Sequence, residues 1–217
     1  MTNKTYHSLF WLITSTFISM PASYSQESVT TDLDARIDGF LADHADTWHD
    51  WNVPPADGKT LHDLIVKNNF TRALEIGTST GHSAIWISKA LNRTGGKLIT
   101  IEIDRRRYET ALVNFQQAGV SHLIDARLAD AHQLVRELEG PFDFIFSDAD
   151  KEWYKQYMED LLPKLAPGGC FVAHNVSGRR NSPGIASMLN YARSRSDLET
   201  TLDSAGAGMS ISCKKQP

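Results

Sequence analysis

The chain has little cysteine, no surplus of positive charge, no apolar run long enough for a comfortable membrane span, no internal repeat and no low-complexity stretch. Each absence bears on what the protein can be. Two cysteines, Cys170 and Cys213, make neither a disulfide framework nor a zinc spacing, and both stand in apolar, strand-like stretches. Buried free thiols are the expectation, with pairing left open. Lysine and arginine together number 22 against 26 aspartates and glutamates, for a formal net charge of -4. With no basic block to offset that balance, the sequence argues against a nucleic-acid surface. The short basic runs Arg105-Arg106-Arg107 and Arg179-Arg180 read as solvated faces of a helix or loop. What remains is ordinary: 217 residues, 41% hydrophobic and 22% charged, enough for one globular domain with a real core.

The first 25 residues differ from the rest. Lys4 gives a weak positive start, Leu9 to Met20 is apolar with serine and threonine interspersed, and Pro21-Ala22-Ser23-Tyr24-Ser25 offers small residues before a cut after Ser25. That layout is a secretory leader. Its apolar run is shorter than the roughly 20 residues that a span needs. An uncleaved anchor or a misassigned start are the alternatives. The domain is therefore read as residues 26–217, with no membrane part of its own. It would be exported or periplasmic if the leader is real, and cytoplasmic otherwise.

Apolar positions at Leu33, Ile37, Phe40 and Leu41 predict a helix from Thr31 to Trp48. Trp48 to Pro55 breaks it, and a second helix starts at Asp57-Gly58-Lys59. Strands and amphipathic helices then alternate. Strands are expected over Ala73–Ile76, Lys97–Ile103, Leu123–Leu128, Phe142–Phe146 and Cys170–Ala173, the last after a Pro167-Gly168-Gly169 turn. This alternation means a parallel sheet covered on both faces. The tail breaks the rhythm, because no helix separates the strands at Leu198–Leu202 and Gly208–Lys214. The final strand should return antiparallel. The expected fold is α/β, a Rossmann-like, doubly wound, mostly parallel seven-stranded sheet with one antiparallel strand near the C-terminus.

One stretch organises the chain: Arg72-Ala-Leu-Glu-Ile-Gly-Thr-Ser-Thr-Gly-His-Ser83. It reads as a strand that breaks at Gly77 and opens a helix after Gly81, the unit at which an open α/β sheet binds a nucleotide-like ligand. Dinucleotide folds want a third glycine, which is missing. Glu75 before the loop would repel a pyrophosphate but suits a ligand with an ammonium group, such as S-adenosylmethionine. In such sheets ligands sit beyond the C-terminal strand ends. There stand Glu75, Glu102, Asp130, Asp148 with Asp150 and Lys151, and His174 with Asn175. Any one could cap a helix, as Asp130 does by position. Five polar strand ends together point to a site, with Glu102 placed for the hydroxyls of a ribose.

Three segments carry a resemblance: Leu74 to Ser83, Ile101-Glu-Ile-Asp104, and Phe142-Asp-Phe-Ile-Phe-Ser-Asp-Ala-Asp-Lys151. From roughly Asn52 to Lys215 the chain resembles the class I S-adenosylmethionine-dependent methyltransferases, specifically the metal-dependent catechol and caffeoyl-CoA O-methyltransferases with their bacterial relatives. The resemblance implies that Glu75, Gly77 and Ser83 hold the methionine part of the cofactor and Glu102 the ribose. Asp130 and Ala131 would lie at the adenine, and Asn52-Val53 would close over the cofactor. It implies Asp148 as a metal ligand at the edge of the cofactor site and Lys151 as the group that takes the substrate hydroxyl proton. A divalent cation shared with neighbouring substrate oxygens would lower that hydroxyl's pKa.

The sequence departs from the pattern where the family has Asp-Asn: here stand His174 and Asn175. Three readings stay open. One makes His174 a ligand beside Asp148 and Asn175, shifting the site from magnesium towards manganese, iron or zinc. Another makes it the general base of a metal-free enzyme. The third makes it structural. The loop Val176 to Pro183 also lacks the aromatic residues that relatives use to orient substrate, which leaves Trp48, Trp51, Trp153 and Tyr154 as candidate gatekeepers. The expectation is an S-adenosylmethionine-dependent O-methyltransferase for a small hydroxylated, catechol-like substrate, with a homodimer as an open assembly state. A non-catalytic cofactor-binding protein and a nicotinamide oxidoreductase are the rival readings. An exported enzyme would also need a cofactor made in the cytosol.

Overall fold

The computed structural model describes residues 22–48, 51–177 and 182–216. Most of the expected leader, and Arg179-Arg180, lie outside them. Seven strands form one sheet in the order β3-β2-β1-β4-β5-β7-β6. They are β1 (Arg72–Ile76), β2 (Lys97–Glu102), β3 (Ile124–Leu128), β4 (Phe142–Ser147), β5 (Leu165–His174), β6 (Leu198–Asp203) and β7 (Met209–Lys214). The first five pair parallel, and β7 runs antiparallel to both β5 and β6. This is the seven-stranded sheet expected, including its late reversal.

The helices are α1 (Ala22–Asp43), α2 (Pro55–Asn68), α3 (His82–Thr94), α4 (Arg105–Ala118), α5 (Ala131–Glu137), α6 (Tyr154–Leu161) and α7 (Pro183–Ser194). Alternate strand residues feed two cores. Phe144, Phe146 and Val172 pack with Ile37, Leu61, Ile65, Ile85 and Phe115 from α1 to α4. Ile145, Phe171 and Ala173 face the other way, onto Val135, Met158, Ile185 and Met188 from α5 to α7. Strands buried on both faces read as near-continuous apolar runs, as Phe142 to Phe146 does.

The structure corrects several local expectations. The first helix ends at Asp43, short of Trp48, and runs back to Ala22. It is pinned by tertiary contacts as well as by its own pattern. Lys89 pairs with Asp38, Arg93 with Asp34, and Arg36 donates to the last carbonyls of α4, Gln116 O and Gln117 O, a favourable place for a cation. The apolar pattern from Lys151 to Leu165, which predicts one helix, is helical only in part. It begins and ends in single 3-10 turns, the second containing Pro163. The Pro167-Gly168-Gly169 stretch lies inside β5, not before it. The pairing to β4 jumps from Leu165 to Cys170, and Gly168 takes φ 78° at that irregularity. The cysteines are not free. Cys170 and Cys213 stand directly opposite in the β5–β7 register and form a disulfide, with Cα atoms 4.0 Å apart.

Candidate active site

The strand order reverses between β1 and β4, each paired to the other while their further neighbours, β2 and β5, lie on opposite sides. At that reversal the C-terminal strand ends leave a crevice. A cavity of about 750 Å³ occupies it, within the range of small-molecule sites. Its walls come from every parallel strand end: Gly77, Glu102, Asp130, Asp148, Lys151 and His174. The sequence elements that looked like scattered strand ends thus converge on one space.

On the cavity's first side, the loop after β1 is held tightly. Gly77 has φ +96°, and a Cβ there would stand 2.6 Å from the Asp148 carbonyl oxygen. Only glycine allows β1 and β4 to approach this closely. Glu102, nearly buried, accepts from the backbone N–H groups of Ser79, Ile103 and Asp104 at 2.7, 3.1 and 2.9 Å. Its carboxylate is therefore fixed in orientation before any ligand arrives. Asp130 caps α5 by accepting from His132 N at 2.9 Å, while still lining the cavity beside Ala131.

Glu75 and Ser83 are buried and do not line the cavity. Glu75 accepts from Thr100 Oγ1 at 2.5 Å, and its Oε1 has no hydrogen-bond partner. Burial pushes its carboxyl up to about 8, against the lowering effect of the Ser83 and Thr100 hydroxyls beside it. Such an orphaned acid, two residues before the lining Gly77, fits a cationic group of a bound cofactor. Val53 also stays off the cavity. Its carbonyl accepts from His82 Nδ1 at 2.8 Å, and its side chain is in the core. Asn52, its neighbour, lines the cavity and bonds Thr80 Oγ1 at 2.6 Å.

The ends of β4 and β5 carry the chemistry. Lys151 Nζ donates to Asp148 Oδ1 at 2.5 Å. The other oxygen, Asp148 Oδ2, lies 2.9 Å from His174 Nδ1, and His174 Nε2 lies 2.7 Å from Asp57 Oδ2. Asp57 was not expected here. It comes from the first turn of α2, is fully buried, and also accepts from Ala207 N at 2.9 Å. Both ring nitrogens of His174 lie within hydrogen-bond distance of carboxyl oxygens, the arrangement of an imidazolium held between two carboxylates. Burial works against that charge, but the hydrogen bonds and charges of Asp148 and Asp57 outweigh it and raise His174 to about 9. Asn175, at φ 58°, lines the cavity next to it.

These residues do not fit a metal ion as they stand. A protonated imidazole has no lone pair to offer, and Asp148 is already shared between His174 and Lys151. Among the described residues no group of three or more His, Cys, Asp and Glu side chains is arranged to hold one.

Of the aromatic candidates, Trp51 lines the cavity mouth and is 81% exposed. Trp153 stacks on His132, a lining residue, with centroids 3.7 Å apart. Tyr154 is fully buried and donates to the His174 carbonyl at 3.3 Å. Trp48 stacks on His82 instead, off the cavity.

Residues 35–179 match the model of a family described as O-methyltransferase. The chain belongs to the O-methyltransferase family. Within that family it is 40% identical over 129 residues to a catechol O-methyltransferase of Niastella koreensis, covering 58% of each chain. It is 33% identical over 168 residues to a caffeoyl-CoA O-methyltransferase of Zinnia elegans, covering 72% of this chain and 68% of that one. It thus spans about three-fifths to two-thirds of the length of these curated relatives. Among solved structures, an O-methyltransferase from Bacillus cereus in complex with S-adenosylhomocysteine superposes with a TM-score of 0.73 at 26% identity, covering 88% of this chain and 97% of that one. One from Streptomyces achromogenes, involved in tomaymycin synthesis and in complex with S-adenosylmethionine, gives 0.72 at 27%, covering 90% and 100%.

Proposed function

We propose that this member of the family is an S-adenosylmethionine-dependent O-methyltransferase acting on a small hydroxylated, catechol-like substrate. One observation carries the reading: a single cavity is lined by a pre-oriented acid on β2, Glu102, and by an amine, Lys151, with its partner Asp148 after β4. Relatives that methylate catechol or caffeoyl-CoA support the substrate class.

Glu102, Asp130 and Ala131 would hold the nucleoside part of the cofactor, and Gly77 gives its backbone room to approach. When bound, the cofactor supplies an electrophilic methyl group on a sulfonium. Lys151 is the group placed to take the hydroxyl proton. Its Nζ lines the cavity wall against Asp148, and to take the hydroxyl proton it must first give up one of its own to solvent. The resulting ammonium is held by Asp148. Most of the rate gain should come from holding oxygen and methyl in line within the walled cavity. His174, protonated and enclosed between two acids, is not available as the base. The apolar mouth at Trp51 and Ile103 suits the flat body of an aromatic substrate.

Two further expectations belong to this reading. The Cys170–Cys213 disulfide suits an oxidising compartment and so supports export by the N-terminal leader. Among the described residues no helix is long and apolar enough to cross a membrane.

Calorimetric titration with S-adenosylhomocysteine, followed by methyl-transfer assays on catechol-type substrates, tests the proposal. Lys151→Ala should cut kcat by roughly 10²- to 10⁴-fold while leaving product affinity little changed. Failure to bind the product at all, or turnover that survives Lys151→Ala, counts against it.

A further inference from the structure

The four groups Asp57, His174, Asp148 and Lys151 form one unbroken chain, at 2.7, 2.9 and 2.5 Å. Acid and base alternate along it, so two carboxylates are balanced by an imidazolium and an ammonium. The inner half is built to stay. His174 and Asp57 are 2% and 0% exposed, and the loop at Gly206 closes over Asp57 so tightly that a Cβ there would stand 2.2 Å from Asp57 Oδ1. Ala207 N fixes the same carboxylate. The outer half opens into the cavity through Asp148 and Lys151.

We propose that Asp57 and His174 form a built-in cationic bridge that does the work of a divalent metal: it fixes Asp148, and through it Lys151, so that methyl transfer needs no added ion. The inference rests on the methyltransferase reading for its reaction, but the bridge itself is a property of the chain. His174 and Asp57 are positioning residues on this account. Neither needs to touch the substrate. The Asp148 carboxylate, with one oxygen held by His174, has only the other to offer Lys151, which fixes the amine at the cavity wall. The charge balance also explains why the site does not call for a metal. Replacing the imidazolium by a carboxylate would leave three acids against one ammonium, the imbalance that a divalent cation corrects.

The test uses the full chain and three measurements. In the first, protein labelled with ¹⁵N-histidine is examined by long-range proton–nitrogen correlation near neutral pH. His174, assigned by its loss in His174→Gln, should show both ring nitrogens protonated; a neutral tautomer would overturn the bridge. In the second, Mn²⁺ is titrated and followed by electron paramagnetic resonance and calorimetry. The wild type should not bind it at the site, whereas His174→Asp should gain a single Mn²⁺ site. Binding by the wild type, displacing the His174 protons, would overturn the proposal. These two readings stand even if S-adenosylhomocysteine fails to bind, which would defeat the methyltransferase reading alone.

The third measurement is turnover. It should be unchanged by a chelator in the wild type, and loss of activity restored by Mg²⁺ or Mn²⁺ would overturn the inference. Asp57→Asn should lower kcat on the order of 100-fold with the affinity for S-adenosylhomocysteine kept. Unchanged kcat in a folded variant would reduce Asp57 to a packing role and also overturn it.

Discussion

Lowering the pH from 8 to 6 should weaken the binding of S-adenosylhomocysteine by about 50-fold, and the cause would be one side chain. Glu75 is fully buried at the end of β1, one oxygen bonded to Thr100 and the other without a partner. Burial is the main force raising its carboxyl to about 8, and the nearby charges of Asp148 and Glu102 add to it. In the free protein at pH 7 only about one molecule in ten therefore carries the ionised form. On the proposed reading, a ligand ammonium entering beside Gly77 engages that form. Each pH unit below 8 then costs about 1.4 kcal/mol of binding free energy, a factor of ten.

The sign follows from linkage: the free state holds more protons than the complex, so binding releases a proton and strengthens as pH rises, levelling off near 8. Calorimetry at several pH values, each in two buffers of different ionisation enthalpy, measures affinity and proton release together. Close to one proton should be released below pH 7, and Glu75→Gln should abolish both the release and the slope. A flat affinity between pH 6 and 8, with enthalpies independent of buffer, would show that Glu75 is ionised beforehand or takes no part.

Three other outcomes follow from the same kind of argument. His82 is enclosed with Nδ1 donating to Val53 O and Nε2 accepting from Trp86 Nε1, so it is neutral, and burial lowers it to about 4. The unfolded chain binds its proton first, so stability should fall as pH drops from about 6.5 to 4, by up to about 3 kcal/mol; urea titrations that give the same stability across this window would refute it. Gly77→Ala puts a methyl 2.6 Å from a backbone oxygen at φ +96°. It should destabilise the β1–β4 contact and abolish product binding, and a variant that still binds in calorimetry would mean the loop has slack. The disulfide closes a loop with a sequence separation of 43. Cys170→Ser with Cys213→Ser should lower unfolding free energy by about 2–4 kcal/mol, read by denaturant titration against the oxidised wild type, and equal stabilities would show the bond to be dispensable.

The parts of the site that sequence reveals are those dictated locally. Gly77 and Gly81 punctuate a strand and a helix, and Glu102, Asp130, Asp148 and His174 each end an apolar strand, so periodicity alone sends them to one edge of the sheet. The alternation of strands and helices likewise gives the parallel sheet, and the helix missing between Leu202 and Gly208 gives the reversal. Where local signal and tertiary contact disagree, the contact decides. Val53 and Trp48 sit in a loop that looks like a lid, yet both turn to His82 in the core.

Asp57 shows the limit most clearly. An acid in the first turn of a helix is favourable wherever a helix begins, so nothing in its neighbourhood marks it as part of a site. Its partner His174 lies 117 residues later. Only the packing of α2 against the end of β5 and the Ala207 loop brings the two acids to opposite sides of one imidazole. The surroundings of His174 are decided in the same way. Its sequence position allowed a ligand, a base or a structural residue, because each needs a histidine at a strand end. The choice depends on which atoms face its two nitrogens, and that is settled by three segments distant in the chain. The cysteine pairing has the same origin, since the register of β5 against β7 is a property of the assembled sheet. Local pattern determined the scaffold and which strand ends are polar; the charge state and partners of the groups at those ends arise only from the long-range packing that buries them together.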